Sequence, residues 1–258
     1  MINIFIFIFG SIVGSFLNVC IYRLPKGRSI IFPGSHCPNC TAAIHWHDNI
    51  PILSYIFLGG RARCCKAKIS FRYFIVEILT ASAFLILFST FGLTPKFFAY
   101  AIMVSGLIIA TFVDFEIQEI PDEVSMGGLA AGLILSAAFP SVLSETTRLN
   151  GFLNSFLGAL VGGGMIYAMG MLGEFAFKRE AMGGGDVKLL AMVGAFIGWK
   201  LVVLTFFLAP VFGSVVGITM KIKHGKDIIP YGPYLSLGAV CAIFFGERII
   251  QLLFRGMF

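Results

Sequence analysis

Two aspartates stand out by type and setting. Asp186 follows Gly183-Gly184-Gly185 at the mouth of one apolar segment, and Asp114 closes another, Ile108-Ile109-Ala110-Thr111-Phe112-Val113. Ionisable groups at membrane depth are costly and commonly mark chemistry. Two carboxylates brought together share one proton, because close like charges do not both ionise cheaply. The ionised one can activate water while the protonated one hydrogen-bonds a carbonyl. That is the equipment of an aspartic hydrolase working at a membrane surface. The sequence has no Gly-x-Ser-x-Gly elbow and no His-Glu-x-x-His, and its histidines are His36, His45, His47 and His224.

Each aspartate also has an ordinary reading. Asp186 would serve as an N-cap after a glycine turn, where a helix N-terminus favours negative charge. Asp114 falls near a helix C-terminus, where the dipole disfavours an anion. A structural aspartate there needs a partner, and no Lys or Arg lies between Lys96 and Arg148. Asp122 and Glu123 follow Pro121, the usual start of a helix, and suit its first turn. A phosphate cradle is the weaker reading, since the glycines run into Asp186-Val187-Lys188 and not into Gly-Lys-Ser/Thr.

The elements that position these groups are membrane helices. The 258 residues are 58% hydrophobic and 12% charged, which indicates an all-α polytopic membrane protein. About eight transmembrane helices are expected, near 2–22, 72–91, 96–114, 122–140, 151–175, 186–198, 199–221 and 231–254. The sixth is short for a span of about 20 residues, so Gly198 reads as a hinge and not as a loop. The first segment lacks a basic n-region and a small-residue cleavage site, and is read as a retained helix. Lys and Arg concentrate in loops 23–72, 176–188 and 221–230. The positive-inside rule makes loops 23–72, 115–121, 176–186 and 222–230 cytoplasmic, with both termini outside, and puts Asp114 and Asp186 on one cytoplasmic rim. The expected divisions are a first helix over 1–22, a loop domain over 23–71 and a membrane domain over 72–258. The formal charge of +6 follows from those loops and does not point to nucleic acid.

The 23–71 loop holds four cysteines. Cys37-Pro38-Asn39-Cys40 has the spacing of a zinc half-site, and Cys64-Cys65 can supply the other half. A domain this small commonly needs a metal or disulfides, and a reducing cytosol disfavours the latter. Adjacent cysteines are an unusual second half, so free thiols are the alternative. Cys20 and Cys241 fall within apolar segments and read as packing residues. Gly162-Gly163-Gly164 suits close helix packing.

Gly183-x-Gly185-Asp186 resembles the Gly-x-Gly-Asp motif of the type IV prepilin peptidases, polytopic aspartic proteases. Val113-Asp114-Phe115-Glu116-Ile117-Gln118-Glu119-Ile120-Pro121-Asp122 resembles the pattern around their first catalytic aspartate. That match gives the catalytic role to Asp114 and not to Asp122. Gly14-Ser15-Phe16-Leu17-Asn18-Val19, Tyr22-Arg23-Leu24-Pro25, Asn49-Ile50-Pro51-Ile52-Leu53-Ser54-Tyr55, Arg72-Tyr73 with Val76-Glu77, and Tyr231-Gly232-Pro233-Tyr234 extend the likeness along nearly the whole chain. The resemblance implies a bifunctional enzyme of the bacterial inner membrane. Such an enzyme removes the basic leader of type IV prepilins and type II secretion pseudopilins at the cytoplasmic face, then N-methylates the new N-terminus using S-adenosylmethionine. It also implies a four-cysteine zinc site of two Cys-x-x-Cys pairs. Here Cys65 matches the last cysteine while Ala62 stands at the third, leaving Cys64 or a histidine such as His36 to complete the set. The methyl-donor site is not readable from any local pattern.

A secondary transporter would also use buried carboxylates and broken helices. The sequence shows no internal repeat, however, and both acids sit at one rim, not at the bilayer midplane. The segment from Asp114 to Glu123 is also acidic, with Glu116, Glu119 and Asp122 and no Lys or Arg. It is expected either to draw in a basic leader or to be a solvated turn.

Overall fold

A bilayer offers the backbone no hydrogen-bond partner, so an apolar chain crossing it folds into helices. The computed structural model describes residues 1–178, 182–224 and 230–253. Long helices account for the apolar segments, and no strand occurs among the described residues. The chain divides into two units, Met1–Phe97 and Phe98–Phe258.

In the first unit, α1 (Ile2–Arg23) and α3 (Phe71–Phe91) pair along a stripe of small residues. A Cβ on Gly10 would meet the Ala81 Cα at 2.7 Å, and one on Gly14 would meet the Glu77 Cα at 2.8 Å. This is the close backbone approach that small residues four apart permit between membrane helices. One turn further along, the Asn18 side chain donates from Nδ2 to the Tyr73 carbonyl at 3.0 Å. The opposite face of α1 exposes Ile4, Phe5, Ile8, Ile12 and Phe16, as suits lipid. Where α1 ends, the buried Arg23 guanidinium donates to the carbonyls of Ser29, Pro33 and Gly34 and gathers the first turns of the loop. A short helix, α2 (Leu53–Phe57), follows.

The second unit contains α4 (Pro95–Ile117, whose first residues belong to the first unit), α5 (Asp122–Ala138), α6 (Arg148–Phe177), α7 (Gly184–His224) and α8 (Gly232–Leu253). Helices α6 and α7 touch backbone to backbone where Gly158 meets Gly194. In the glycine triplet, a Cβ on Gly162 would meet the Leu190 carbonyl oxygen at 2.5 Å and one on Gly163 would meet the Ala191 Cβ at 3.2 Å, while one on Gly164 would have open space. Helix α7 breaks at Gly198, which has φ 77° and ψ 173°, the break expected between the sixth and seventh segments. The carbonyl of Ala195, one turn before it, accepts hydrogen bonds from the hydroxyls of Ser155 at 2.6 Å and Ser136 at 3.3 Å. Polar side chains thus serve backbone groups near a helix break.

Six of the described helices are long and apolar enough to cross a membrane, fewer than the eight expected. One window, Gly184–Val215, runs through the Gly198 break and merges two expected spans. Helix α5, at 17 residues, is short for a span. Arg179, Lys226 and Arg255, part of the charge count above, lie outside the described residues.

Candidate active site

Asp114 occupies the last turns of α4 and is 5% exposed. The partner that its position demands is a backbone group, since the Gly232 N–H donates to Asp114 Oδ2 at 2.8 Å. Gly232 opens α8, so the carboxylate also faces the positive end of a helix dipole. Asp186 lies in the first turn of α7, and its N–H donates to the Gly183 carbonyl at 3.1 Å. Ile120, in the turn between α4 and α5, joins the two halves. A Cβ on Gly185 would lie 3.1 Å from the Ile120 Cβ, and one on Gly232 would lie 3.4 Å from its Cδ1. The two carboxylates come within electrostatic reach of each other.

This packing explains the spacing of the glycine turn. At Gly185 a side chain would press on Ile120, which lies 3.1 Å from the place of its Cβ. A Cβ on Gly184 would meet nothing within 4 Å, and one on Gly183 would lie 3.6 Å from Asp186 Oδ2, an ordinary contact. Asp122 stands apart from this pair. It binds Lys188 Nζ at 2.7 and 2.9 Å, which ties the start of α5 to the start of α7 through an exposed ion pair.

Tyr231 was carried only by a motif match and had no chemical reading of its own. Its hydroxyl is buried without a hydrogen-bond partner among the described residues. Burial, and then the nearby Asp186 carboxylate, pushes the phenol up to about 12, so it stays a neutral donor. The Gly232 amide carries no sequence signal beyond that same motif.

The four loop cysteines lie in the first unit. The Sγ atoms of Cys37, Cys40, Cys64 and Cys65 all fall within 4.8 Å of one another, with Cys37 and Cys65 3.7 Å apart and Cys40 and Cys64 3.2 Å apart. Two turns of the same construction present them, a repeat that the residue types conceal. Cys37 N–H donates to the Ala42 carbonyl at 2.8 Å and Thr41 N–H to the Cys37 carbonyl at 2.9 Å. Ala62 N–H donates to Ala67 at 2.8 Å and Lys66 N–H to Ala62 at 2.9 Å. Thr41 and Lys66 share a left-handed φ of 58° and 57°, and the bridges His36–Ala43 and Arg61–Lys68 close the two turns. In this alignment Cys65 matches Cys40, Ala62 matches Cys37 and Cys64 matches Asn39. The third thiol has therefore moved two residues within an unchanged turn. His36 turns its Nδ1 to the Gly34 carbonyl at 3.0 Å, so Cys64 is the fourth member of the cluster. The amides of Cys40 and Asn39 hold the Cys37 thiol down to about 6. The Cys64 thiol, hydrogen-bonded to Cys40, is pushed up to about 12.

Residues 8–91 match the family model for the bacterial peptidase A24 N-terminal domain, and residues 101–218 match that for the type IV leader peptidase family. A Myxococcus xanthus prepilin leader peptidase/N-methyltransferase is 38% identical over 86% of this chain, which spans 64% of that relative's length. An Escherichia coli type 4 prepilin-like proteins leader peptide-processing enzyme is 35% identical over 91% of both chains. A Pseudomonas aeruginosa prepilin leader peptidase/N-methyltransferase is 32% identical over 94% of this chain and 90% of its own. No solved structure matches. The aspartate pair falls inside the matched peptidase region, the cysteine loop falls inside the matched N-terminal region, and the chain belongs to the type IV leader peptidase family.

Proposed function

We propose that this protein is an aspartic endopeptidase of the bacterial inner membrane that removes the basic leader from type IV prepilins and pseudopilins, then N-methylates the new N-terminus. The observation that carries the peptidase half is the meeting of Asp114 and Asp186 over Ile120 at the ends of three helices. In this reading one carboxylate of the pair is ionised and takes a proton from water. Its protonated partner hydrogen-bonds the scissile carbonyl. The Tyr231 hydroxyl is a further neutral donor beside them. Loop charges favour a cytoplasmic active site with the termini outside. The methyl donor is S-adenosylmethionine, in keeping with the paired activities in the relatives' names.

The cysteine cluster fits zinc. A tetrahedral zinc–thiolate centre with bonds of about 2.3 Å has sulfurs about 3.8 Å apart, close to the spacing of Cys37 and Cys65. Cys37, Cys40, Cys64 and Cys65 would hold the ion, and its part is to order a loop too small for a core of its own.

The test is a reaction of the purified enzyme with a prepilin, followed by mass spectrometry. Loss of the leader together with the gain of one methyl group supports both halves of the reading. An intact prepilin under conditions where a relative cleaves it refutes the peptidase half.

A further inference from the structure

The first unit holds a group that peptide cleavage does not use. Residues 1–97 contain two carboxylates, Asp48 and Glu77. Asp48 is committed, as both its oxygens take Arg63 Nε at 2.9 Å. Glu77 lies in α3, six residues from its start, or about 9 Å inward at 1.5 Å per residue. It is 7% exposed and forms no ion pair among the described residues. Its Oε2 accepts the Ile52 N–H at 2.7 Å, and Ser15 of α1 lies beside it. On the same seam, one turn toward the loop, Asn18 is 1% exposed, and its Oδ1 has no partner among the described residues.

The segment over Glu77 is strained. Ile52 has φ 64° and ψ −53°, and Leu53 N–H donates to the Pro51 carbonyl at 2.6 Å. That is a three-residue turn of the rare, strained hand, and for a β-branched residue it is a conformation held only by its surroundings. A glutamine could fasten one amide without the cost of burying a charge. A buried carboxylate without an ion pair among the described residues, on the same seam as an unfilled amide oxygen, suits a positively charged group rich in N–H donors.

The reaction proposed above supplies such a group. Leader cleavage leaves an α-ammonium at the head of an apolar helix. An ammonium nitrogen has no lone pair and cannot take a methyl group until it loses a proton. We propose that Glu77 binds this new N-terminal ammonium in place of the Ile52 amide and accepts its proton, with Asn18 Oδ1 as a second acceptor. This rests on the methylation half of the proposed function. One N–H bond breaks, its electron pair stays on nitrogen, and the proton passes to the Glu77 carboxylate. The neutral amine then forms its new N–C bond with the methyl of a sulfonium donor, whose S–C pair remains on sulfur, and the proton on Glu77 returns to water. The groups facing Glu77 from α1 and the strap are Ser15, Gly14 and the Ile52 amide, and none of them titrates. Of the seam's cations, Arg23 is held by loop carbonyls, and Arg72 belongs to the first turn of α3.

The experiment uses the full-length enzyme with a mature, leader-free pilin peptide, comparing the parent with Glu77→Gln and Glu77→Asp. Glutamine keeps an acceptor for the Ile52 amide but takes up no proton. A free α-amine has a pKa of about 7.7–8.0, so its neutral fraction grows roughly sixteen- to thirtyfold between pH 6.5 and 9. Methylation by Glu77→Gln is expected to fall about tenfold or more below the parent at pH 6.5 and to close to within about twofold by pH 9. Glu77→Asp should keep the parent's flatter profile, and leader cleavage should be unchanged in both. Parallel pH profiles for parent and Glu77→Gln would overturn the assignment. A second arm needs no methyl donor. The parent should bind the free-amine peptide more tightly than its N-acetylated form at pH 7, and Glu77→Gln should lose that preference. Should the parent fail to methylate, the methyltransferase reading fails, and the binding arm alone decides whether Glu77 holds the amine. Should glutamine abolish cleavage too, the binding arm on Glu77→Asp decides, and loss of the free-amine preference there overturns the assignment.

Discussion

Gly232→Ala separates the needs of catalysis from those of folding. The added Cβ would sit 2.8 Å from Asp114 Oδ2 and 3.4 Å from Asp114 Cγ, where ordinary contact begins near 3.4 Å. The atom that must yield is the end of a side chain and not backbone, so the fold adjusts easily. What moves, however, is one of the two carboxylates proposed to form the catalytic pair. Its displacement also stretches the 2.8 Å bond from the Gly232 N–H. A hydrogen bond to a charged group contributes about 1.5–3 kcal/mol, and each 1.36 kcal/mol in a barrier is tenfold in rate. The leader-cleavage kcat should therefore drop roughly ten- to hundredfold, while the melting temperature moves by no more than about 2–4 °C per kcal/mol lost. Gly184→Ala is the matched control, because nothing lies within 4 Å of its added methyl, and it should cleave like the parent. The assay is single-turnover cleavage of a prepilin with a thermal melt on the same samples. Parental cleavage by Gly232→Ala would refute the argued contact between α8 and Asp114.

Two further outcomes follow from the same geometry. The protein should retain about one zinc per chain with four coordinating thiolates. Cys64→Asn, which copies the first turn, should lose that zinc on dialysis, and Ala62→Cys added to it should restore the metal. Elemental analysis decides, and full zinc in Cys64→Asn would rule Cys64 out as a ligand. Glu119 and Glu123 are exposed in and just after the turn that follows α4, so Glu119→Gln with Glu123→Gln should raise the KM for a basic-leader substrate at low salt. The difference should vanish at high salt, because exposed charges are screened over about 10 Å at 0.1 M. Equal KM values at both ionic strengths would leave the acidic turn without a steering role.

What could be read in advance divides along physical lines. The apolar segments and the Gly198 break were legible because a membrane leaves the backbone few choices and a lone glycine between apolar runs is conspicuous. The shortness of α5, at 17 residues, was not, since apolar composition alone does not mark where Pro140 and its neighbours end a helix. Asp114 and Asp186 were legible as candidates from their setting. The partner of Asp114 was not, because the Gly232 amide lies 118 positions away and every residue but proline carries such a group. Cys37 and Cys40 announced themselves by spacing. The place of Cys64 emerges only when the turns of residues 36–43 and 61–68 are aligned by their backbone hydrogen bonds, which residue types do not record. Glu77 is similar, for its partner is the amide of a strained Ile52 that no propensity anticipates.

The most direct test of the central claim takes Asp114→Asn and Asp186→Asn separately and incubates each with a full-length prepilin in parallel with the parent. Mass spectrometry then reads leader release, and a thermal melt checks the fold. Both variants should melt like the parent and release no leader over the time in which the parent completes cleavage, while Asp122→Asn keeps most of the activity, its pair with Lys188 being exposed and weak. Leader release by either Asp114→Asn or Asp186→Asn at a rate comparable to the parent would contradict the aspartate pair as the catalytic centre.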